Sequence, residues 1–134
     1  MEAEAVPALS VGVIDGGATD GGACATAARE LGVRIMQART GIESPLNVNV
    51  VFQLSGRHVA ADFEGVRTGR YSKAKNWLIV QAAVFPEDVK DPRTEIARLL
   101  VDAVAEAEAW ARRRGVASSL DALTTIANSV ADDG

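Results

Sequence analysis

The chain has 134 residues, 48% of them hydrophobic and 24% charged, with a formal net charge of −4; this suits one globular domain over 1–134 and excludes a disordered, collagen-like or coiled-coil chain. The acidic balance argues against general nucleic-acid binding, which calls for a basic face that displaces counterions. The single cysteine, Cys24, has no partner for an intramolecular disulfide and no neighbouring ligands for a zinc site, so a reducing cytoplasm is the expected compartment.

At the N-terminus, Glu2 and Glu4 stand where a secretory signal carries positive charge, and Pro7 and Gly12 interrupt the apolar stretch. No signal peptide is expected, and residues 1–8 and 132–134 read as flexible tails. No apolar run reaches the ~20 residues of a membrane span. Leu9 to Ile14 reads as a short strand, and DGGATDGG (15–22) breaks it. Ala23 to Leu31 is rich in helix formers, with Gly32 placed as a stop, after which Val33 to Gln37 reads as another strand. Residues 38–46, with Gly41 and Pro45, read as a loop.

In the central block, Val48, Val50, Phe52 and Leu54 alternate with Asn47, Asn49, Gln53 and Ser55, the period-two pattern of a half-buried strand from which only Val51 departs. Val59, Ala61 and Phe63 alternate with His58, Ala60, Asp62 and Glu64 in a second strand, and the two are expected to pair as a hairpin. Gly65 to Lys75 is polar, holds two glycines and reads as a projecting loop. From Asn76 to Phe85 both faces are apolar, Leu78, Val80, Ala82 and Val84 on one side and Trp77, Ile79, Ala83 and Phe85 on the other. Such a strand is expected to be central and covered on each side.

Asp91 and Pro92 form a helix start, an N-cap followed by a proline whose missing donor costs nothing. Ile96, Leu100, Ala103, Ala107 and Trp110 then make one apolar stripe, broadened by Leu99 and Val104. Arg112, Arg113 and Arg114 complement the helix dipole ahead of the stop at Gly115. Ser118 and Asp121 begin a last helix with Leu120, Leu123, Ile126, Ala127 and Val130 on one face. The expected fold is α+β: a mainly antiparallel sheet centred on a three-strand meander (47–85), helices 92–114 and 119–131 on one face, and the N-terminal third covering the other.

The glycine loop superficially resembles a phosphate cradle, but it lacks the lysine of a P-loop and the spacing of a dinucleotide fingerprint, and Asp15 and Asp20 put negative charge where phosphate would sit. Asp62 and Glu64 share a strand face, yet a solvated face explains them better than an acid–base pair or a cation site. His58 is the only histidine and lacks a nucleophile in a suitable context. No catalytic, cofactor-binding or metal-ligating set emerges, no cofactor is expected, and the reading is non-enzymatic. The surface that packing does not explain is Asp62, Glu64, Arg67, Arg70, Tyr71 and Lys73, residue types suited to a protein contact; the plainer reading is a solvated loop.

Over DFEGVRTGRYSKAKNWLIVQAAV (62–84) and EAEAWARRRGVASSLDAL (106–123), within about 48–130, the chain resembles small bacterial immunity proteins of polymorphic toxin systems. The resemblance implies a protein-binding module that neutralises a cognate toxin domain by covering its active site or locking its shape. An acidic immunity protein suits a basic nuclease toxin, because complementary potentials speed association. Two alternatives remain open: a small ligand-binding or enzymatic subunit using the loop 15–22 with Asp15, Asp20 and Cys24, and a homo-oligomeric accessory protein, such as a homodimer, that buries the apolar surface beside Trp77 and Phe85.

Overall fold

The computed structural model describes residues 9–15, 21–38, 46–54, 65–74, 76–115 and 121–132. Along the chain come β1 (Leu9–Asp15), α1 (Gly21–Ala38), β2 (Asn47–Leu54), β3 (Val66–Ser72), β4 (Trp77–Val84), a 3-10 turn at Pro86–Asp88, α2 (Pro92–Arg114) and α3 (Asp121–Asp132). The sequence readings on 1–8, on Asp20, on the strand at 59–63 with His58, Asp62 and Glu64, and on Ser118 lie outside the described residues.

The architecture is α+β, with a four-stranded mixed sheet in the order β1-β2-β4-β3. The sheet is mostly parallel, which corrects the expectation of an antiparallel meander: β1 pairs with β2 and β2 with β4 in parallel, and only β3 and β4 are antiparallel. Strand β2 is bonded on both edges, to β1 from Val48 to Leu54 and to β4 from Asn47 to Leu54. Alternation records which face of a strand is buried and is silent about its neighbours.

Two further expectations change for local reasons. Gly32 does not stop the first helix, and Val33 to Gln37 continue it as the last turns of α1. A side-chain carbon at Gly32 would stand 3.5 Å from Cβ of Val11, so the glycine marks where α1 lies closest to β1. Gly65 to Lys75 is not a projecting loop, since Val66–Ser72 is the edge strand β3. An edge needs only one bonded side, so its outer residues stay polar and the strand reads as loop.

Paired residues define the two faces. The rows Leu9-Val48-Leu78-Tyr71, Val11-Val50-Val80-Thr68 and Val13-Phe52-Ala82-Val66 lie on one side. Val48, Val50, Phe52, Leu78, Val80 and Ala82 are fully buried there and share one core with Leu31 and Ile35 of α1, Ile96, Leu100 and Ala103 of α2, and Leu123 and Ile126 of α3. Removing a side chain such as Phe52 from water is worth about 2–3 kcal/mol. Helices α1 and α2 pack on each other and both on this face, while α3 lies on α2 and α1. The expectation that the N-terminal third covers the other face is therefore corrected: β1 extends the sheet and α1 joins α2.

The ends of α2 follow the sequence reading. Asp91 accepts hydrogen bonds from Thr94, at 3.4 Å from the backbone N–H and 2.8 Å from the hydroxyl, and Gly115 closes the helix in the left-handed region with φ 65°. The arginine triplet is used within its own helix. Arg112 pairs with Glu108 at 2.8 Å, Arg113 approaches Glu106 at 3.7 Å, and Arg114 lies over the ring of Trp110 at 5.5 Å.

Candidate functional site

Alternation that buries one face of each strand presents the other. Its rows are Asn47-Trp77-Ser72, Ser10-Asn49-Ile79, Gly12-Val51-Gln81-Arg67 and Ile14-Gln53-Ala83. Parallel strands are ordinarily sandwiched between helices. Here the helices among the described residues lie on the opposite side, and this face is amide-rich around a half-buried apolar centre of Val51, Trp77 and Ile79.

Two side-chain bonds tie the face across strands. Ser10 Oγ donates to Asn49 Oδ1 at 3.2 Å, and Arg67 Nε donates to Gln81 Oε1 at 2.9 Å. The second bond aims an arginine along the rim while leaving it exposed. At opposite ends of the face, Gln53 Oε1 and Trp77 Nε1 are withdrawn from solvent with no hydrogen-bond partner. An unmet polar group of this kind costs about 1–3 kcal/mol.

The rim beyond β4 is β3, where the structure separates the residues that the sequence grouped together. Between the pairs Thr68–Val80 and Tyr71–Leu78, two β3 residues, Gly69 and Arg70, stand opposite the single β4 residue Ile79 in a one-residue bulge. Glycine suits the position because a side-chain carbon at Gly69 would sit 3.3 Å from the carbonyl oxygen of Ile79, close enough that the strand would have to give by a few tenths of an ångström. Arg70 and Lys73 are exposed. Tyr71 points to the helix side, its ring against Trp110, and its hydroxyl donates to Asn76 Oδ1 at 3.2 Å. Arg67 and Arg70 thus belong to the rim, Tyr71 anchors the strand from behind, and Lys73 sits in the turn before β4.

Of the central residues of this face, Trp77 borders the apolar surface that the sequence offered to a homo-oligomer, whereas Val51 and Ile79 were not among the sequence candidates. Their signal was present: Val51 breaks the polar side of β2, and β4 is apolar on both sides.

The alternative centre at the glycine loop gains little from Cys24. This side chain is 1% exposed, and burial first, then the nearby negative charge of Glu95, pushes its thiol pKa up. It is held as a neutral thiol and not as a nucleophile. Among the described residues no cluster of three His, Cys, Asp or Glu side chains is arranged to hold a metal ion, and no helix is long and apolar enough to cross a membrane. No protein family, curated protein or solved structure matches the chain.

Proposed function

We propose that this protein is a non-enzymatic binding module that takes a protein partner on the sheet face opposite the described helices and on its β3 rim. One observation carries the reading: the parallel strands have described helices on one side alone, and the other side combines an apolar centre with amides and exposed arginines. That is the composition of a protein interface, in which a desolvated centre supplies affinity and a polar rim supplies register.

The resemblance to immunity proteins makes a bacterial toxin domain the partner to test. The net charge of −4 favours long-range approach of a basic domain, and Arg67 and Arg70 then engage carboxylates at its margin. The experiment is co-purification and calorimetry with a toxin domain encoded beside this chain. Wild type is expected to bind and inhibit it, and Arg67→Glu with Arg70→Glu to weaken binding at least about tenfold, or 1.4 kcal/mol, with an unchanged melting temperature. Binding that survives the double charge reversal removes the β3 rim from the interface, and absence of any toxin gene beside this one removes the toxin reading.

A further inference from the structure

The two edges of the sheet differ in how they are guarded. At β3 the outer edge carries Arg67 and Arg70 and a bulge, the devices by which proteins prevent strand addition. Along β1 there is no bulge, and Leu9 to Ile14 reads LSVGVI, without charge or proline, ahead of the single acidic position Asp15; the strand pairs in unbroken register with β2 on its inner side. No described strand occupies its outer side.

Beside this bare edge lies a groove of about 400 Å³ between β1 and α1, bordered by Val11, Val13, Arg29, Val33 and Met36. Among the described residues the large hydrophobic side chains left exposed are Val33 at 54% and Met36 at 57%, which border this groove, and Ile14 at 52%, on the opposite face of the same edge strand. Large apolar side chains gathered at one place mark an interaction surface, and an unguarded strand beside them marks strand addition as its mode.

We infer that β1 and α1 form a self-association surface on which a second copy of this chain docks by antiparallel β1-to-β1 pairing. A two-fold axis at Gly12 sets Val11 against Val13 of the second copy on the helix side, and Ser10 against Ile14 of the second copy on the opposite side. It also carries the two Asp15 positions to opposite ends of the paired strands, so the one acidic position of β1 does not meet its own copy. The strand is self-complementary in the sense that an isologous interface requires. Heterologous addition of another protein's strand would need no such match.

The extent fits. At ~1.5 Å per residue the 18 residues of α1 span about 27 Å, and a sheet with one helix layer is about 20 Å deep, so edge-to-edge contact hides on the order of 500 Å² per copy and about 1,000 Å² in all, the lower limit for a specific interface. A reversible, concentration-dependent dimer follows. It places the two β3 rims at the far ends of one continuous sheet, clear of the contact between copies.

Sedimentation velocity over micromolar to submillimolar concentrations is the test, with Val33→Glu and Met36→Lys as separate variants, since both side chains are exposed and leave the fold intact. Wild type is expected to approach twice the chain mass of 14.0 kDa, and each variant to dissociate at least about tenfold more readily at unchanged circular dichroism. A Ser10→Cys/Ile14→Cys double variant is expected to give a covalent dimer on oxidation, because those positions meet only between copies. A wild type that stays monomeric throughout overturns the inference, and so does a dimer indifferent to both α1 variants or one that forms without the cross-link. Monomeric wild type that gains β1 protection from hydrogen exchange only with a toxin domain assigns the edge to a partner's strand instead.

Discussion

The ring of Tyr71 packs against that of Trp110 with centroids 4.9 Å apart and a tilt of 52°, which fastens the edge strand β3 to the C-terminal part of α2. Through its hydroxyl, Tyr71 also holds Asn76, the residue whose φ of 53° lets the chain reverse into β4. One side chain therefore links an edge, a turn and a helix, and the arginines of the proposed rim are presented by a strand fixed from behind.

Replacing Tyr71 separates those roles. Tyr71→Phe keeps the ring pair and loses the bond to Asn76, an expected cost of about 0.5–1.5 kcal/mol. Tyr71→Ala loses both, with an expected cost of about 2–4 kcal/mol, because the site is half-buried and an aromatic truncation in a full core costs up to ~5. Urea unfolding midpoints measure both, and combining Tyr71→Ala with Trp110→Ala is expected to cost less than the sum by about 0.5–1.5 kcal/mol.

Gly32 offers a gain. A methyl group there would meet Val11 at ordinary van der Waals distance, while glycine inside a helix costs about 0.5–1 kcal/mol relative to alanine. Gly32→Ala is expected to raise stability by up to about 1 kcal/mol, and Gly32→Ile to lower it by driving branches into β1. Thermal unfolding of the two variants checks the opposite signs.

At the start of α2, hydrogen bonds from the Thr94 hydroxyl and then its backbone N–H hold the Asp91 carboxyl below its ordinary value of 3.8. A carboxyl lowered on folding stabilises the fold above its unfolded pKa, and that contribution disappears as pH falls through the folded value. Asp91→Ala is therefore expected to melt at a lower temperature than wild type near neutrality, with the gap narrowing as pH drops below 3.8. A gap independent of pH would place the capping energy elsewhere.

Cys24 is expected to resist a thiol reagent such as Ellman's reagent in the native protein and to react at once in urea, because it is buried and its thiol pKa is raised from 9.0. The sign for a raised thiol is that its contribution is complete below the unfolded value and is lost as pH climbs from 9.0 through the folded one. The stability difference between wild type and Cys24→Ala is accordingly expected to fall above pH 9.0. Cys24→Ser should cost about 1–3 kcal/mol by burying an unpaired hydroxyl.

What could be read in advance was what neighbours in sequence decide. The cap at Asp91, the stop at Gly115, the stripe of α2, and the buried faces of β2 and β4 each arise from residues within one or two turns or pleats of each other. The rim arginines were legible as unexplained charge, although the segment carrying them read as a loop. The apolar centre of the candidate face was legible only as two anomalies, Val51 and the two-sided strand β4.

The sequence by itself determined the existence of most elements, their ends and the side each one buries, because propensity, capping and periodicity act locally. Only the tertiary structure decided that β2 lies between β1 and β4, that Val66–Ser72 is an edge strand, that α1 runs through Gly32, and that the described helices crowd one face. Strand neighbours are chosen by long-range pairing, for which alternation carries no label, and a glycine reads as a helix stop until the strand it approaches is in view.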